Sequence, residues 1–257
     1  MTKTPPTRSA RERLRAERHQ AAQRTRRRRE RATVLAVCAG LLGLIGLFIA
    51  IQTNRARDDR PLVAPAGATG EDHLVIPVGR PDAPVVLTMY EDPRCPGCAQ
   101  IERELHTTIN KLEDEGKLRV EYHVLSFVDR IARGNGSKKA ANALAAAQDA
   151  GRFREFHDVL FAHPPASEET DTFGDTQVLL DLAEKVPALP TAEFTKAVTQ
   201  GTHDTWVSAV QHRFDQQTKI TGTPALFFKG RDLLRDPDHP LTPQRLTELV
   251  TDEARTR

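Results

Sequence analysis

The tetrapeptide Cys95-Pro96-Gly97-Cys98 stands where one hydrophobic period stops and another starts, and this junction constrains the fold more than any other stretch. Before it, residues 85–90 (VVLTMY) form a short apolar, β-branched run bounded by Pro84 and the Glu91-Asp92-Pro93 break, the pattern of a buried strand. After it, Cys98, Ile101, Leu105, Ile109 and Leu112 recur at three- and four-residue steps, which predicts a helix with one apolar face ending near Gly116. Leu118, Val120, Tyr122 and Val124 then alternate with Arg119, Glu121 and His123, the period of a second strand. Strand, helix and strand in such short order make a right-handed βαβ unit with parallel strands.

From residue 137 to about residue 219 the pattern is helical. Residues 138–149 are alanine-rich and stop at Gly151, and Phe153, Phe156, Leu160 and Phe161 share one side of the next segment. Asp175 and Thr191 are placed to cap helices carrying Val178, Leu179, Leu182 and Val186, and Phe194 and Val198, with Trp206, Val207, Val210 and Phe214 continuing the trend. Strand character returns at residues 225–229, turns at Gly230 and resumes at Leu233-Leu234, which reads as a hairpin. Thr242 and Pro243 open a last helix bearing Leu246, Leu249 and Val250. The order describes an α/β sheet with a helical insertion between its βαβ unit and its hairpin.

The placement of the two cysteines has a chemical use. A thiol at a helix N-terminus faces unpaired N–H groups and the positive end of the dipole, so its thiolate is favoured. Pro96 suits the first helical turn, where a missing N–H is no loss. Two intervening residues let the sulfurs bridge and reopen by exchange. Cys95, ahead of the helix, is expected to be the exposed attacking sulfur, and Cys98, on the apolar face, the buried resolving one. Half of a zinc site is the competing reading, but zinc needs four ligands and no second CxxC or Cys/His cluster follows, so no metal and no cofactor is expected. A structural disulfide is the other, and its very small loop would give little entropic stabilisation.

Residues 83–98 (APVVLTMYEDPRCPGC), with Asp92 three residues before the first cysteine, resemble the DsbA-like branch of the thioredoxin superfamily. Residues 153–161 (FREFHDVLF) are similar to a recurring segment of that branch's helical insertion, and residues 221–225 (TGTPA) to its cis-proline loop. The resemblance spans roughly residues 72–254 and implies a thioredoxin-like fold. It also implies that Pro224 is cis beside Cys95, and that Thr223 offers backbone hydrogen bonds to an extended substrate chain. One departure is Gly97, where strongly oxidising members often carry His. Lowering a cysteine pKa from about 8.5 to about 6 takes roughly 3.4 kcal/mol, and a helix terminus supplies at most about 2. Backbone hydrogen bonds and Arg94 are the candidates for the remainder.

The N-terminal quarter has a different character. Between Arg31 and Arg55 there is no charged residue, and residues 32–51 are almost wholly apolar. Twenty helical residues rise about 30 Å, the thickness of a bilayer core, so residues 32–53 are expected to form one transmembrane helix, in which Cys38 is an inert small residue. Nine Arg residues from Arg13 to Arg31 precede the span and three (Arg55, Arg57, Arg60) follow it closely. That asymmetry places the basic tail, residues 1–31, in the cytoplasm and the later domain outside. A cleaved signal peptide is the competitor, but its apolar region is about 7–15 residues long. Residues 54–71, with Pro61, Pro65, Gly67 and Gly70, read as a linker to a domain at 72–254. Residues 1–31 hold 12 basic residues against 3 acidic, leaving 25 basic and 32 acidic in the rest, so the body is mildly acidic and nucleic-acid binding is disfavoured.

The expected function is a membrane-anchored, extracytoplasmic thiol:disulfide oxidoreductase that oxidises cysteine pairs in unfolded or reduced exported proteins. The resemblance implies a DsbB-like or vitamin K epoxide reductase-like membrane partner that restores its disulfide. A reductase or isomerase on the same fold is the first alternative, and a non-catalytic thioredoxin-like interaction scaffold the second.

Overall fold

The computed structural model describes residues 60–217 and 220–256. The expected cytoplasmic tail, the transmembrane span at 32–53 and the first part of the linker lie outside the described residues. Among the described residues no helix is long and apolar enough to cross a membrane.

A five-stranded sheet in the order β1-β3-β2-β4-β5 forms the frame. Its centre is β2 (Val85–Glu91), flanked by parallel β3 (Leu118–Val124) and antiparallel β4 (Ala225–Phe228). The intervening α1 (Pro96–Asp114) packs Cys98, Ala99, Leu105, Ile109 and Leu112 into the core and completes the expected βαβ unit. Gly116, with φ 68°, turns the chain after this helix in a conformation that suits glycine. The alternation read in β3 is also its burial pattern, with Leu118, Val120, Tyr122 and Val124 inside.

The insertion consists of α2 (Val128–Ile131), α3 (Gly136–Asp149), α4 (Phe153–Ala162), α5 (Thr176–Ala183), α6 (Ala192–Gln200) and α7 (Asp204–Asp215). Its middle is α3, which buries six alanines together with Leu144. A helix apolar on nearly every side belongs inside a bundle, and small side chains let α4, α6 and α7 pack closely around it. Asp175 and Thr191 cap α5 and α6 through the backbone N–H groups of Gln177 and Phe194. The terminal α8 (Pro243–Arg255), capped by Thr242, packs on α1 and β2.

Three details depart from the sequence reading, the first being that α5 stops at Ala183, so Val186 lies beyond it. The return strand β5 is Arg231–Asp232, and Leu233–Arg235 forms a 3-10 turn instead of the strand expected at Leu233-Leu234. Asp232 accepts a 3.0 Å hydrogen bond from the Leu234 N–H, which ends the strand early. The edge strand β1 (Ile76–Gly79) pairs antiparallel with β3 and has no counterpart in that reading. Residues 60–69 lie along the insertion, with Arg60 bonded to the Gln200 and Gly201 carbonyls and the Val63 and Ala66 backbone bonded to His203 and Asp149.

Candidate functional site

The chain leaves β2 through Asp92 and enters α1 at Pro96, with Cys95 as the N-cap residue in extended conformation. The first turn of α1 therefore aims its free amides at the Cys95 sulfur. That thiol lies well below the ordinary cysteine value of 9.0, at about 6. A hydrogen bond from the Cys98 thiol is the largest cause; the Thr223 side chain and the Cys98 and Gly97 amides add to it, and burial opposes them. Cys98 moves the opposite way, pushed well above its ordinary value by burial and by the neighbouring Cys95. The Asp92 amide donates to Cys98 Sγ at 3.4 Å. One sulfur is thus poised to ionise and its neighbour to stay protonated, the asymmetry that thiol–disulfide exchange requires.

The Thr223-Pro224 peptide is cis, as the resemblance implies. It is brought to the site by β4, whose Ala225 pairs with Tyr90 of β2. Cys95 Sγ lies 3.5 Å from the Thr223 carbonyl oxygen. A Cβ placed on Gly97 would stand 3.1 Å from Pro224 Cδ and 3.7 Å from Cys95 Sγ, so any side chain at that position would adjoin both.

Two expectations need correction. Cys95 is not an exposed sulfur: the residue is 5% accessible, against 1% for Cys98, because the cis-proline loop lies over it. Arg94 does not serve the thiolate. Its guanidinium is fully buried and turned into the insertion, bonded to Asp129 at 2.6 Å, Asp171 at 3.2 Å and the Arg133 and Glu168 carbonyls. It anchors the cysteine loop to the insertion and takes no part among the causes that lower Cys95.

Asp92 braces the same loop from within. Its carboxylate accepts from the Arg94 and Val128 amides and from Ser137 Oγ at 2.7–2.8 Å, while burial pushes it up to about 7. Below the cysteines is a group that the sequence reading passed over. Glu91, Glu102 and His157 are all buried, and His157 Nε2 lies 2.7 Å from Glu91 Oε1. Burial raises Glu102 to about 8. A signal for Glu102 existed, since it falls four residues after Cys98 and three before Leu105, on the apolar side of α1.

A thioredoxin family model matches residues 71–252. The chain belongs to the thioredoxin family. Within that family it is similar to disulfide bond formation protein D of Bacillus subtilis, 26% identical over 63% of this chain and 71% of that one. Among solved structures it is similar to the MdbA thiol-disulfide oxidoreductase of Actinomyces oris, with TM-score 0.58, 26% identity and coverage of 70% and 88% of the two chains. Reduced DsbA from Mycobacterium tuberculosis shares the fold, with TM-score 0.59, 22% identity and coverage of 70% and 91%. This thioredoxin-family chain is a thiol-disulfide oxidoreductase, with Cys95 and Cys98 close together at the start of α1.

Proposed function

We propose that this chain is a membrane-anchored, extracytoplasmic oxidase that introduces disulfides into exported proteins carrying reduced cysteine pairs. The observation that carries the reading is the Cys95 thiol, held at about 6 beside a Cys98 thiol that stays protonated. In the oxidised protein, a substrate thiolate attacks Cys95 Sγ, and the Cys95–Cys98 bond breaks with its electron pair passing to Cys98, which takes up a proton. A second substrate thiolate attacks the substrate sulfur of this mixed disulfide and expels Cys95 as the thiolate that the site stabilises. The substrate leaves oxidised by two electrons and the chain leaves reduced. Thr223 and Pro224 would align the substrate backbone by strand-like pairing.

The anchoring half of the proposal rests on the uncharged span at 32–53 and on the excess of Arg ahead of it. A DsbB-like or vitamin K epoxide reductase-like membrane protein is the chemical class of partner that would return the chain to its disulfide form.

The test combines a variant with an equilibrium. Cys95→Ser should abolish oxidation of a reduced, unfolded substrate protein while leaving the fold intact; retained oxidase activity would refute the assignment. Equilibrating the wild-type couple with glutathione should give a potential well above that of thioredoxin, about −270 mV. A value near thioredoxin's would favour the reductase alternative, to which Gly97 lends some support because no imidazolium stands beside Cys95.

A further inference from the structure

Three elements send one metal-ligating side chain each to a single point in the core beneath the cysteines. Glu91 ends β2, Glu102 stands on the buried side of α1, and His157 lies in the middle of α4. They are 1%, 3% and 2% accessible, and one ligand-type atom from each lies within 4.8 Å of the others. Only part of their polar capacity is used. His157 Nε2 meets Glu91 Oε1 at 2.7 Å, but Glu91 Oε2 and Glu102 Oε1 are buried with no hydrogen-bond partner. A buried carboxylate oxygen left unpaired is costly, and proteins seldom carry two at one point without something to satisfy them.

We propose that Glu91, Glu102 and His157 form a binding site for a divalent cation of the zinc class. One imidazole nitrogen and two carboxylate oxygens are a donor set that such ions accept. Two carboxylates with a neutral imidazole also balance a charge of +2, and the cation takes the place of the proton between His157 Nε2 and Glu91. Ligand atoms around zinc stand about 3.4 Å apart, from metal–ligand lengths of about 2.0–2.2 Å. A spread within 4.8 Å closes by rotation of the Glu102 side chain, whose Oε1 no hydrogen bond restrains.

The surroundings supply the remaining parts of a metal centre. On the far side of its ring, His157 Nδ1 faces Asp158 Oδ1 at 3.9 Å, and Asp158 Oδ2 is held by Asn110 Nδ2 at 2.8 Å. At that distance Asp158 is an ion-pair partner and not a hydrogen-bond acceptor, and its charge raises the basicity of the imidazole. A cavity of about 40 Å³, lined by Glu102, His106, Asp158 and Phe161 among others, shares Glu102 with the cluster. It has room for a water beside Glu102. The absence of a Cys/His cluster in the sequence does not bear on this site, because its ligands come from three separate elements.

The full chain, purified in detergent and oxidised so that Cys95 and Cys98 are joined and cannot take metal, is titrated with Zn²⁺ by calorimetry and with Co²⁺ by absorption. The expected result is one equivalent bound, a cobalt spectrum of nitrogen and oxygen ligands without thiolate charge transfer, and a melting temperature that rises with Zn²⁺. Glu102→Gln keeps the shape of the side chain and should lose at least tenfold in affinity, along with the melting shift. His157→Gln should lose binding entirely; should it fail to fold, Glu102→Gln decides alone. The chain has nine histidines, so surface binding must be told apart. Equal affinity in wild type and Glu102→Gln, or no stoichiometric binding by wild type, would overturn the proposal.

Discussion

Replacing Cys98 with Ala tests where the acidity of Cys95 comes from. The Cys98 thiol is the largest cause holding Cys95 near 6, ahead of the amides at the start of α1. Hydrogen bonds to charged groups contribute about 1.5–3 kcal/mol, which corresponds to about 1–2 pKa units. Without that donor, Cys95 should titrate at about 7–8. At pH 7 the thiolate fraction would then fall from about 90% to between about 50% and 10%. Thiolate absorbance near 240 nm across pH reads this directly, and the variant has one site thiol to titrate. Cys98→Ser is the control, because its hydroxyl still donates and should keep Cys95 near 6. If Cys95 in Cys98→Ala also titrates near 6, the helix terminus suffices and the reasoning fails.

Two further outcomes follow from the same geometry. The folded pKa of Cys95, about 6, is depressed from 9.0, so its contribution to the stability of the reduced form is complete above about pH 9 and is lost as pH falls through 6. The full contribution is about 4 kcal/mol, of which about 1.4 remains at pH 7; urea unfolding of the reduced and oxidised forms at pH 5, 7 and 9 should show the gap moving toward the reduced form as pH rises, and a constant gap would contradict it. Arg94→Met leaves Asp129 and Asp171 without their shared cation inside the fold and should cost about 3–5 kcal/mol in chemical denaturation, whereas a loss below about 1 kcal/mol would show that the anchor is dispensable.

What could be read in the sequence was local. Residues 85–124 declare strand, helix and strand because each hydrophobic period is complete within a few turns, and Asp175, Thr191 and Thr242 cap the helices that follow them. The position of Cys95 ahead of Pro96 was legible for the same reason. Its covering was not, since Thr223 is 128 residues away and reaches the sulfur only through the pairing of β4 with β2. Arg94 misled in a related way: it adjoins Cys95 in the chain, yet Asp129 and Asp171 draw its side chain elsewhere. The strand β1 escaped because four residues including Pro77 carry too little period to read. Glu102 and His157 stood among apolar neighbours at helical spacing, a signal for buried charge that went unread.

The placement of the Thr223 carbonyl over Cys95 has a consequence for timing. In the proposed role, a substrate chain would reach the sulfur by supplying backbone of its own in place of that contact, and a compact guest would have little to lend. Access would shrink as each client matures, so that completion itself ends the encounter. A catalyst of the proposed kind would need no separate signal to stop.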